Sequence, residues 1–363
     1  MKRDQSRLGR GRMTRFISAK SVLSGALVAS SLALISVGSS SVASASAKKI
    51  TVAFVVGAEA DPFFISMNAG AQAEATKLGV NLIWQGNPSQ YSPSTQIPIV
   101  QQVISQLQSS KPSALVLGPT DPKALQPYVN QAVHDGIATF NVDSSVANLS
   151  KVISFVTGNN AQGGAAAADA LAKAMGYKAG KKYNVAVGMT SPTATTNVLR
   201  FKGFKSEVAK KYPGIRIVAE AYSQSNPTTA NSNIQGWLTK YGQGSSEPLN
   251  GIFAIDGTNA EGAASALQAA GLACSAKSCG AGKVALVGYD AYSTNVSLLQ
   301  KGIFAALIAQ NPAKEGMLSV LNAVNYLRHH NAKGIKHLIT LPNVTLTPRT
   351  PAALLAKYTY QTA

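Results

Sequence analysis

The chain has 363 residues, 45% of them hydrophobic, and it carries 33 basic residues against 15 acidic ones. This length suggests about two domains, each with a core of its own. The formal charge of +18 raises the question of a nucleic-acid partner, but the basic residues are scattered without interleaved aromatic residues. We therefore interpret them as a solvated basic surface and expect no nucleic-acid partner.

Residues 1–47 have the pattern of a secretory signal peptide. Residues 1–20 hold seven Lys and Arg against one Asp, residues 22–37 are almost uncharged, and the small residues SSSVASASA follow. We expect cleavage after Ala47 or Ala45, with Met1 and Met13 as alternative starts. The apolar run is too short and Ser-rich for a spanning helix, and no Cys lies nearby. The sequence thus predicts a periplasmic or extracellular chain without a lipid anchor.

From residue 50 onward, short apolar runs alternate with amphipathic segments of 12 to 18 residues. Continuous apolar strands separated by helices predict an α/β fold with parallel sheets covered on both faces. Two consecutive sheets fit the length better than one sheet of ten strands. The stretch SSVANLSKVISFV at 144–156 is predicted to be the crossing between them. The ten runs lie at 50–56, 80–84, 114–118, 137–142, 152–156, 184–189, 215–221, 251–255, 284–288 and 304–309.

The residues directly after these runs are candidate ligand contacts, because ligands bind beyond the carboxyl ends of strands in open parallel sheets. Fourteen acids follow residue 47, and five of them occupy such positions. A carboxylate accepts two hydroxyl protons at once, and aromatic rings cover the C–H face of a sugar. The pattern predicts a cleft for a polyhydroxylated ligand. The strand-end residues are Asp61, Thr120, Asp121, Asp143, Thr190, Ser191, Asp256, Asp290 and Gln310.

The stretch DPFFISMNAGAQAEATKL at 61–78 predicts a helix that begins at the cleft. Its apolar stripe of Phe64, Met67, Ala71, Ala75 and Leu78 is expected to pack on the sheet. Phe63 lies about 100° from that stripe, so we predict that it stacks on ligand. Asp61 and Pro62 suit the N-cap and N1 positions, and for Asp61 both capping and ligand binding stay open.

At these residues the chain resembles the type I periplasmic sugar-binding proteins of ABC transporters, the ribose and galactose binders. The resemblance covers nearly all of the chain after residue 47, and the order and spacing of its motifs are more specific than any one of them. The motifs are DPFF at 61–64, GPTDPKAL at 118–125, FNVD at 140–143, GNNAQGG at 158–164, RFKGF at 200–204, FAIDGTNAEGA at 253–263, VGYD at 287–290 and IAQNP at 308–312.

The resemblance implies two Rossmann-like lobes joined by a three-segment hinge, which close on one sugar and then dock on a membrane permease. It places residues 48–156 and 311–340 in the N-terminal lobe, 157–310 in the C-terminal lobe, and 341–363 in a tail that returns to the C-terminal lobe. A monomer without cofactor is expected. The implied ligand-binding residues are Asp61, Phe63, Phe64, Asp143, Ser144, Ser191, Asn197, Asp256, Asp290 and Gln310.

Three departures from the ribose binders affect the expected ligand. Asp256 stands where those proteins have Asn, while Ser144 and Val198 stand where they have Arg. The loss of two forked donors removes much of the geometry specific for ribose. The resemblance therefore predicts the family and leaves the individual sugar or polyol open.

Cys274 and Cys279, the two cysteines of the chain, lie in LACSAKSCGAGK between a helix end and a strand. Two nearby cysteines in a turn of an exported protein are predicted to form a disulfide.

Other chemistry has little support. No phosphate-binding loop or nucleophile elbow is present in the sequence, and three of the four His are expected at a helix end rather than in a metal site. A DNA-binding repressor would need a helix-turn-helix where the signal peptide lies, and cleft carboxylates alone do not indicate a glycosidase. The alternative function is a periplasmic sensor that presents a sugar-derived signal to a receptor kinase.

Overall fold

The computed structural model of the protein describes residues 48–275 and 279–361, so the predicted signal peptide at 1–47 lies outside the described residues. The strands are β1 Thr51–Ala58, β2 Asn81–Asn87, β3 Ser113–Leu117, β4 Ala138–Val142, β5 Phe155–Gly158, β6 Tyr183–Met189, β7 Ile215–Tyr222, β8 Leu249–Ala254, β9 Ala285–Tyr289, β10 Ala306–Ala309, β11 Leu338–Leu341 and β12 Val344–Leu346.

The helices are α1 Pro62–Leu78, α2 Pro93–Ser109, α3 Gln126–His134, α4 Asn160–Ala174, α5 Thr195–Lys211, α6 Pro227–Lys240, α7 Gly257–Ala269, α8 Ser293–Gln300, α9 Pro312–His329 and α10 Ala352–Tyr358. A short 3-10 helix covers Leu149–Lys151. None of these helices combines the length and apolarity that a membrane span requires.

The strands form two six-stranded sheets with the orders β11-β5-β4-β3-β1-β2 and β12-β10-β9-β8-β6-β7. All strand pairs are parallel except β10 with β12. The predicted fold class, two α/β lobes with parallel sheets, is confirmed. We call the halves built on these sheets the first and second lobes.

Strand β1 shows why the predicted runs are apolar throughout. Val52, Phe54 and Val56 belong to the core that includes α1, whereas Ala53 and Val55 belong to the core that includes α2. Both faces of the strand are thus covered by helices, as parallel sheets require. All ten predicted runs overlap strands β1–β10.

Two features differ from the sequence prediction. The stretch 144–156 is not the crossing between lobes, because its last part enters β5, which pairs with β4 and β11 in the first sheet. The first crossing instead follows β5, between Gly158 and the start of α4. The short strands β11 and β12 had no counterpart among the predicted runs.

Three chain crossings connect the lobes, and they meet at one point. They run from β5 to α4, from β10 to α9 and from β11 to β12. Gly158, Gln310 and Asn343 each lie in one of them. A Cβ on Gly158 would lie 2.7 Å from Gln310 Oε1 and 3.4 Å from Asn343 Oδ1. Glycine at 158 therefore permits the crossings to come together.

Candidate functional site

A cavity of about 40 Å3 lies where the carboxyl ends of the strands of the two sheets face each other. This volume exceeds the roughly 10–15 Å3 that one water molecule needs. Residues of both lobes line it, so any ligand there contacts both. The lining residues are Asp61, Phe63, Phe64, Tyr91, Asp143, Thr190, Thr196, Asn197, Arg200, Ser225, Asp256, Asp290 and Gln310.

Eight of the ten predicted site residues line this cavity, and Ser144 and Ser191 do not. Ser144 is buried, and its hydroxyl lies 3.4 Å from Asp143 Oδ2 and 3.3 Å from the Tyr91 hydroxyl. Ser191 Oγ accepts from the backbone N–H of Thr193 at 3.2 Å. Ser144 therefore supports two residues of the wall, whereas Ser191 bonds to a loop residue that does not line the cavity.

Asp61 connects the two lobes at the edge of the cavity. Its Oδ1 accepts the backbone N–H of Phe63 at 2.9 Å, which caps α1, and it also accepts the hydroxyl of Tyr292 from the second lobe at 2.5 Å. Burial, reinforced by the charges of Asp290 and Asp256, raises the pKa of Asp61 to about 7 against the lowering effect of these two hydrogen bonds. The capping role predicted for Asp61 is present, and its carboxyl also faces the cleft.

Asp143 follows β4 in the left-handed backbone conformation, with φ 60°. Its side chain is 6% exposed, and its single described side-chain hydrogen bond is the one from Ser144. Burial raises the pKa of Asp143 to about 7, although the charge of Arg200 opposes the shift. This carboxyl therefore has acceptor capacity left for a ligand.

Asp290 accepts hydrogen bonds from three different residues, and it also has a left-handed φ of 67°. Its Oδ1 accepts from Gln310 Nε2 at 2.7 Å and from the Tyr360 hydroxyl at 3.1 Å, while Oδ2 accepts from the backbone of Gly257 at 3.1 Å. Gln310 lies in a hinge crossing, so this bond joins the hinge to the cavity. The Gln310 Oε1 atom is buried and has no described hydrogen-bond partner.

Asp256 caps α7, with Oδ1 accepting from the backbone N–H of Asn259 at 2.9 Å. The Asn259 amide also donates to Oδ2 at 2.7 Å. Burial raises the pKa of Asp256 despite these donors. Asn197, at the start of α5, fixes the end of β6, because its Oδ1 accepts from the backbone of Thr190 at 2.7 Å.

Arg200 is the one cation among the described lining residues. Its Nε donates to Asn160 Oδ1 at 2.8 Å, its Nη1 donates to the Ile255 carbonyl at 3.0 Å, and its guanidinium lies 3.9 Å from the centre of the Tyr289 ring. Burial disfavours its charge, but Tyr289 and the nearby aspartates raise its pKa further, so it stays protonated.

Phe63 and Phe64 both line the cavity and are both buried, at 6% and 4% exposure. Their rings meet edge to face at 5.2 Å, and Phe63 also packs on Tyr360 at 6.1 Å. Met67, Ala71 and Ala75 are fully buried as the helical stripe predicts, and Leu78 is half-buried. The expectation that no core contact accounts for Phe63 is wrong, because the returning C-terminal segment covers it.

The sequence prediction missed five lining residues: Tyr91, Thr190, Thr196, Arg200 and Ser225. Thr190 was recognised at a strand end but was not assigned to the site. Arg200 lies in the RFKGF motif, and the signal that could have found it is its place on the helix after Thr190 and Ser191. Tyr91 and Ser225 come from loops, where no periodic pattern positions a side chain.

The predicted disulfide between Cys274 and Cys279 is present, with a Cα–Cα distance of 4.6 Å. It follows α7 and precedes β9, at the amino end of a strand. The ligand cavity lies at the opposite, carboxyl end of the sheet. The two cysteines therefore stand apart from the site, as expected.

Comparison with known proteins assigns the family. The model of the periplasmic binding protein domain matches residues 52–331. The chain belongs to this family. It is a family of binding proteins and not of enzymes, which confirms the binding function predicted from the sequence, and the resemblance to the type I sugar binders of ABC transporters is confirmed as well.

Individual members of the family are similar along most of their length. The ribose import binding protein of Escherichia coli is 30% identical over 280 residues, which cover 77% of this chain and 86% of that protein. The D-ribose/D-allose-binding protein of Pseudomonas aeruginosa is 29% identical over 77% of this chain and 83% of its own. An ABC transporter solute-binding protein from Agrobacterium vitis, bound with α-D-tagatopyranose, superimposes with a TM-score of 0.75 at 28% identity, covering 86% of this chain and all of that one.

Proposed function

We propose that the chain captures a sugar or a sugar-like polyol between its two lobes and delivers it to the permease of an ABC transporter. The observation that carries this proposal is the composition of the cavity wall. Four carboxyls, one guanidinium and the Gln310 amide meet there with the rings of Phe63, Phe64 and Tyr91. Such a wall offers hydrogen bonds to hydroxyls and apolar cover to C–H faces.

The similarity to proteins named for ribose, allose and tagatopyranose supports the same class of ligand. Ser144, in place of an arginine expected for ribose binding, argues against ribose itself, whereas the prediction drawn from position 198 does not hold. Val198 is 46% exposed on α5 and does not line the cavity, so it supplies no donor there.

The proposal includes export across the cytoplasmic membrane to the periplasm or the cell exterior, as a monomer without a lipid anchor. It is supported by the signal-peptide pattern of residues 1–47 and by the periplasmic family. We also propose the predicted division into lobes, except that the two segments of the first lobe extend to Gly158 and Leu341, the ends of β5 and β11, and not to residues 156 and 340. The two sheets and the three crossings between them support these bounds.

A melting-temperature screen of the protein lacking residues 1–47 tests the proposal. A ligand that binds only the folded state stabilises it by about 4 kcal/mol at a thousandfold excess over Kd, which gives a shift of several degrees. We expect a few clear shifts among pentoses, hexoses and polyols. Amino acids serve as the comparison set. Shifts with amino acids and none with any carbohydrate or polyol would contradict the proposal.

A further inference from the structure

We propose that the preferred ligand is a polyhydroxylated compound with a protonated amine, whose ammonium group binds against Asp143. This inference rests on the proposed function and specifies its ligand class. An amino sugar or an amino-polyol fits the description, whereas a neutral sugar lacks the cation.

The cavity wall carries more acidic than basic groups. Of the described lining residues, four are aspartates and one is a cation, Arg200. None of the ion pairs within 4 Å in the described part of the chain includes any of these aspartates. The surrounding protein is strongly basic, so the acidity belongs to the cavity and not to the surface in general.

Protein donors satisfy three of the four aspartates in the wall and leave Asp143 nearly without hydrogen bonds. Asp61, Asp256 and Asp290 each accept at least two hydrogen bonds from protein donors. Asp143 has only the long bond from Ser144, although its side chain is more than nine-tenths buried. The two described side-chain hydrogen bonds of Arg200 go to Asn160 and to the Ile255 carbonyl, not to a carboxylate.

The cavity wall also has hydrogen-bond acceptors that no protein donor satisfies. Gln310 is 1% exposed, and its Oε1 atom has no partner in the described structure. Asp143, with one long hydrogen bond, and Gln310, with an unpartnered Oε1 atom, are thus two lining residues with acceptor capacity to spare. An ammonium group brings three donors and no acceptor, so every contact with such acceptors is productive. It also supplies the second positive charge that buried carboxylates otherwise lack.

Matched ligand pairs test the inference by isothermal titration calorimetry. Each pair exchanges one hydroxyl for an amine: hexosamine against hexose, and 1-amino-1-deoxy-hexitol against hexitol. The N-acetyl derivative of each amine has its bulk without its charge. We expect at least one amine to bind ten times more tightly than both its hydroxyl and its N-acetyl counterparts.

The ratio of amine to hydroxyl affinities also assigns the residue. Asp143→Asn should lower that ratio at least tenfold, because it removes the charge from the carboxyl that holds the ammonium. Asn keeps the left-handed backbone at position 143 accessible, so the variant is expected to fold. Asp121→Asn is the matched control, since Asp121 also follows a strand but does not line the cavity. The ratio of amine to hydroxyl affinities in Asp121→Asn should equal that of the parent.

The pH dependence of affinity should be steeper for the amine than for the neutral ligand. Asp143 faces Arg200, Asp290 and Glu315. Asp61 faces Tyr292, Asp256 and Asp290. Tyr91 lies near both carboxyls. With pKa values of about 7 for Asp61 and Asp143, deprotonation should tighten binding of a cation more than binding of a neutral ligand. From pH 5.5 to 7.5 we expect the amino-hexitol, whose amine stays protonated, to gain at least fivefold in affinity.

Three outcomes are decisive. Hydroxyl compounds that bind as tightly as their amines would overturn the inference and leave the proposed function intact. An amine preference that Asp143→Asn does not change would overturn the placement at Asp143. Failure of every amine, sugar and polyol to bind the folded protein would overturn the inference together with the proposed function.

Discussion

Phe63 shows how much of a residue's role can be predicted from its position in the sequence. Helical spacing accounts for Phe64, because Phe64 continues the buried stripe of Met67, Ala71 and Ala75. The same spacing leaves Phe63 outside the stripe, so a contact with ligand in the cleft was predicted for it. In the folded chain Phe63 lies in the cavity wall and also touches Tyr360, almost three hundred residues later. No local pattern could have predicted that second contact.

Phe63→Ala should therefore affect both binding and stability. We expect ligand affinity to fall by roughly 2 kcal/mol, the scale of a lost ring contact in a buried site. The melting temperature of the empty protein should also fall, since the packing on Tyr360 is removed. Titration calorimetry and thermal melting measure the two effects.

Met67→Ala provides the matched control on the same helix. Met67 is fully buried and does not line the cavity, so its loss should cost about 2–5 kcal/mol of stability. The affinity of the folded variant should equal that of the parent. Unchanged affinity in Phe63→Ala would show that Phe63 belongs only to the core.

The raised pKa of Asp61 predicts that the stability of the ligand-free protein depends on pH. Its pKa of about 7 in the folded state exceeds the ordinary value of 3.8, so between these values the folded state binds more protons than the unfolded state. The contribution of Asp61 to the free energy of unfolding therefore falls as the pH rises from about 4 to about 7. Asp61→Asn keeps an acceptor for the α1 cap and removes the titration. Its melting temperature should exceed that of the parent by several degrees at pH 8 and by less at pH 5.

Asp121→Asn is the control, because the pKa of Asp121 is shifted in the opposite direction from that of Asp61. Partial burial opposes the shift, but hydrogen bonds that include those from the backbone of Ala124 and Lys123 lower the pKa of Asp121. This substitution should bring no gain in melting temperature at pH 8. Parallel melting curves for the parent and Asp61→Asn across the pH range would refute the assignment of the raised pKa.

At the scale of elements, the long apolar strands could be predicted and the short ones could not. Eight of the strands β1–β10 are buried along nearly all of their length because helices cover both of their faces. The edge strands β2 and β7 are apolar enough to be predicted but are only partly buried. Strand β11 has four residues and β12 has three, and most residues of both strands are exposed or partly exposed. Their pairing depends on the hinge around Asn343, whose amide donates to the carbonyl of Asn159 at 2.8 Å. Such contacts between residues distant in sequence cannot be predicted from a short apolar run.

The disulfide is an element-scale feature with a local effect. It closes a loop of six residues, and removing it should cost about 2 kcal/mol by the chain-entropy account. The double variant Cys274→Ser, Cys279→Ser should therefore melt a few degrees lower and bind ligand with unchanged affinity. Intact mass after alkylation without reductant checks that the parent takes up no label. A tenfold loss of affinity in the double variant would mean that this loop is coupled to the cavity.

At the scale of the whole molecule, the two lobes touch around the cavity. Besides the bond between Asp61 and Tyr292, the backbone N–H of Ser145 donates to Thr195 Oγ1 at 2.9 Å across the cleft. Such contacts favour the closed arrangement even without ligand. A hinge of a few segments absorbs the opening motion, and here it consists of the three crossings that meet at Gly158.

Tyr292→Phe should shift the ligand-free protein toward an open arrangement. The variant removes the hydroxyl that binds Asp61 and leaves the ring, so packing is kept. Small-angle X-ray scattering should give a larger radius of gyration without ligand and the parent value with saturating ligand, at a several-fold higher Kd. Tyr241→Phe is the control, because its hydroxyl binds the Val218 carbonyl within the second lobe. Equal radii for the parent and both variants would show that the hydroxyl does not govern closure.

The site could be predicted to the extent that sheet topology determines it. Aspartates 61, 143, 256 and 290 were found because strand ends of parallel sheets converge on one edge. Arg200 and Tyr91 reach the same cavity from a helix and a loop, and their directions depend on how the elements pack. Ser144 and Ser191 show the reverse case, since their positions beside the site are right but their hydroxyls bond to neighbouring protein groups.

The bond between Cys274 and Cys279 has a practical consequence for making a ligand sensor. The chain contains two cysteines, and each is occupied by the other. One engineered thiol, for example at the exposed Lys357 near the end of α10, would be the sole site for a fluorescent dye in the oxidised protein. The chain just beyond it contacts α1, with Gln361 N donating to Ser66 Oγ at 2.7 Å. A dye there would report movement of the lobes as a change in emission, without first removing the native cysteines.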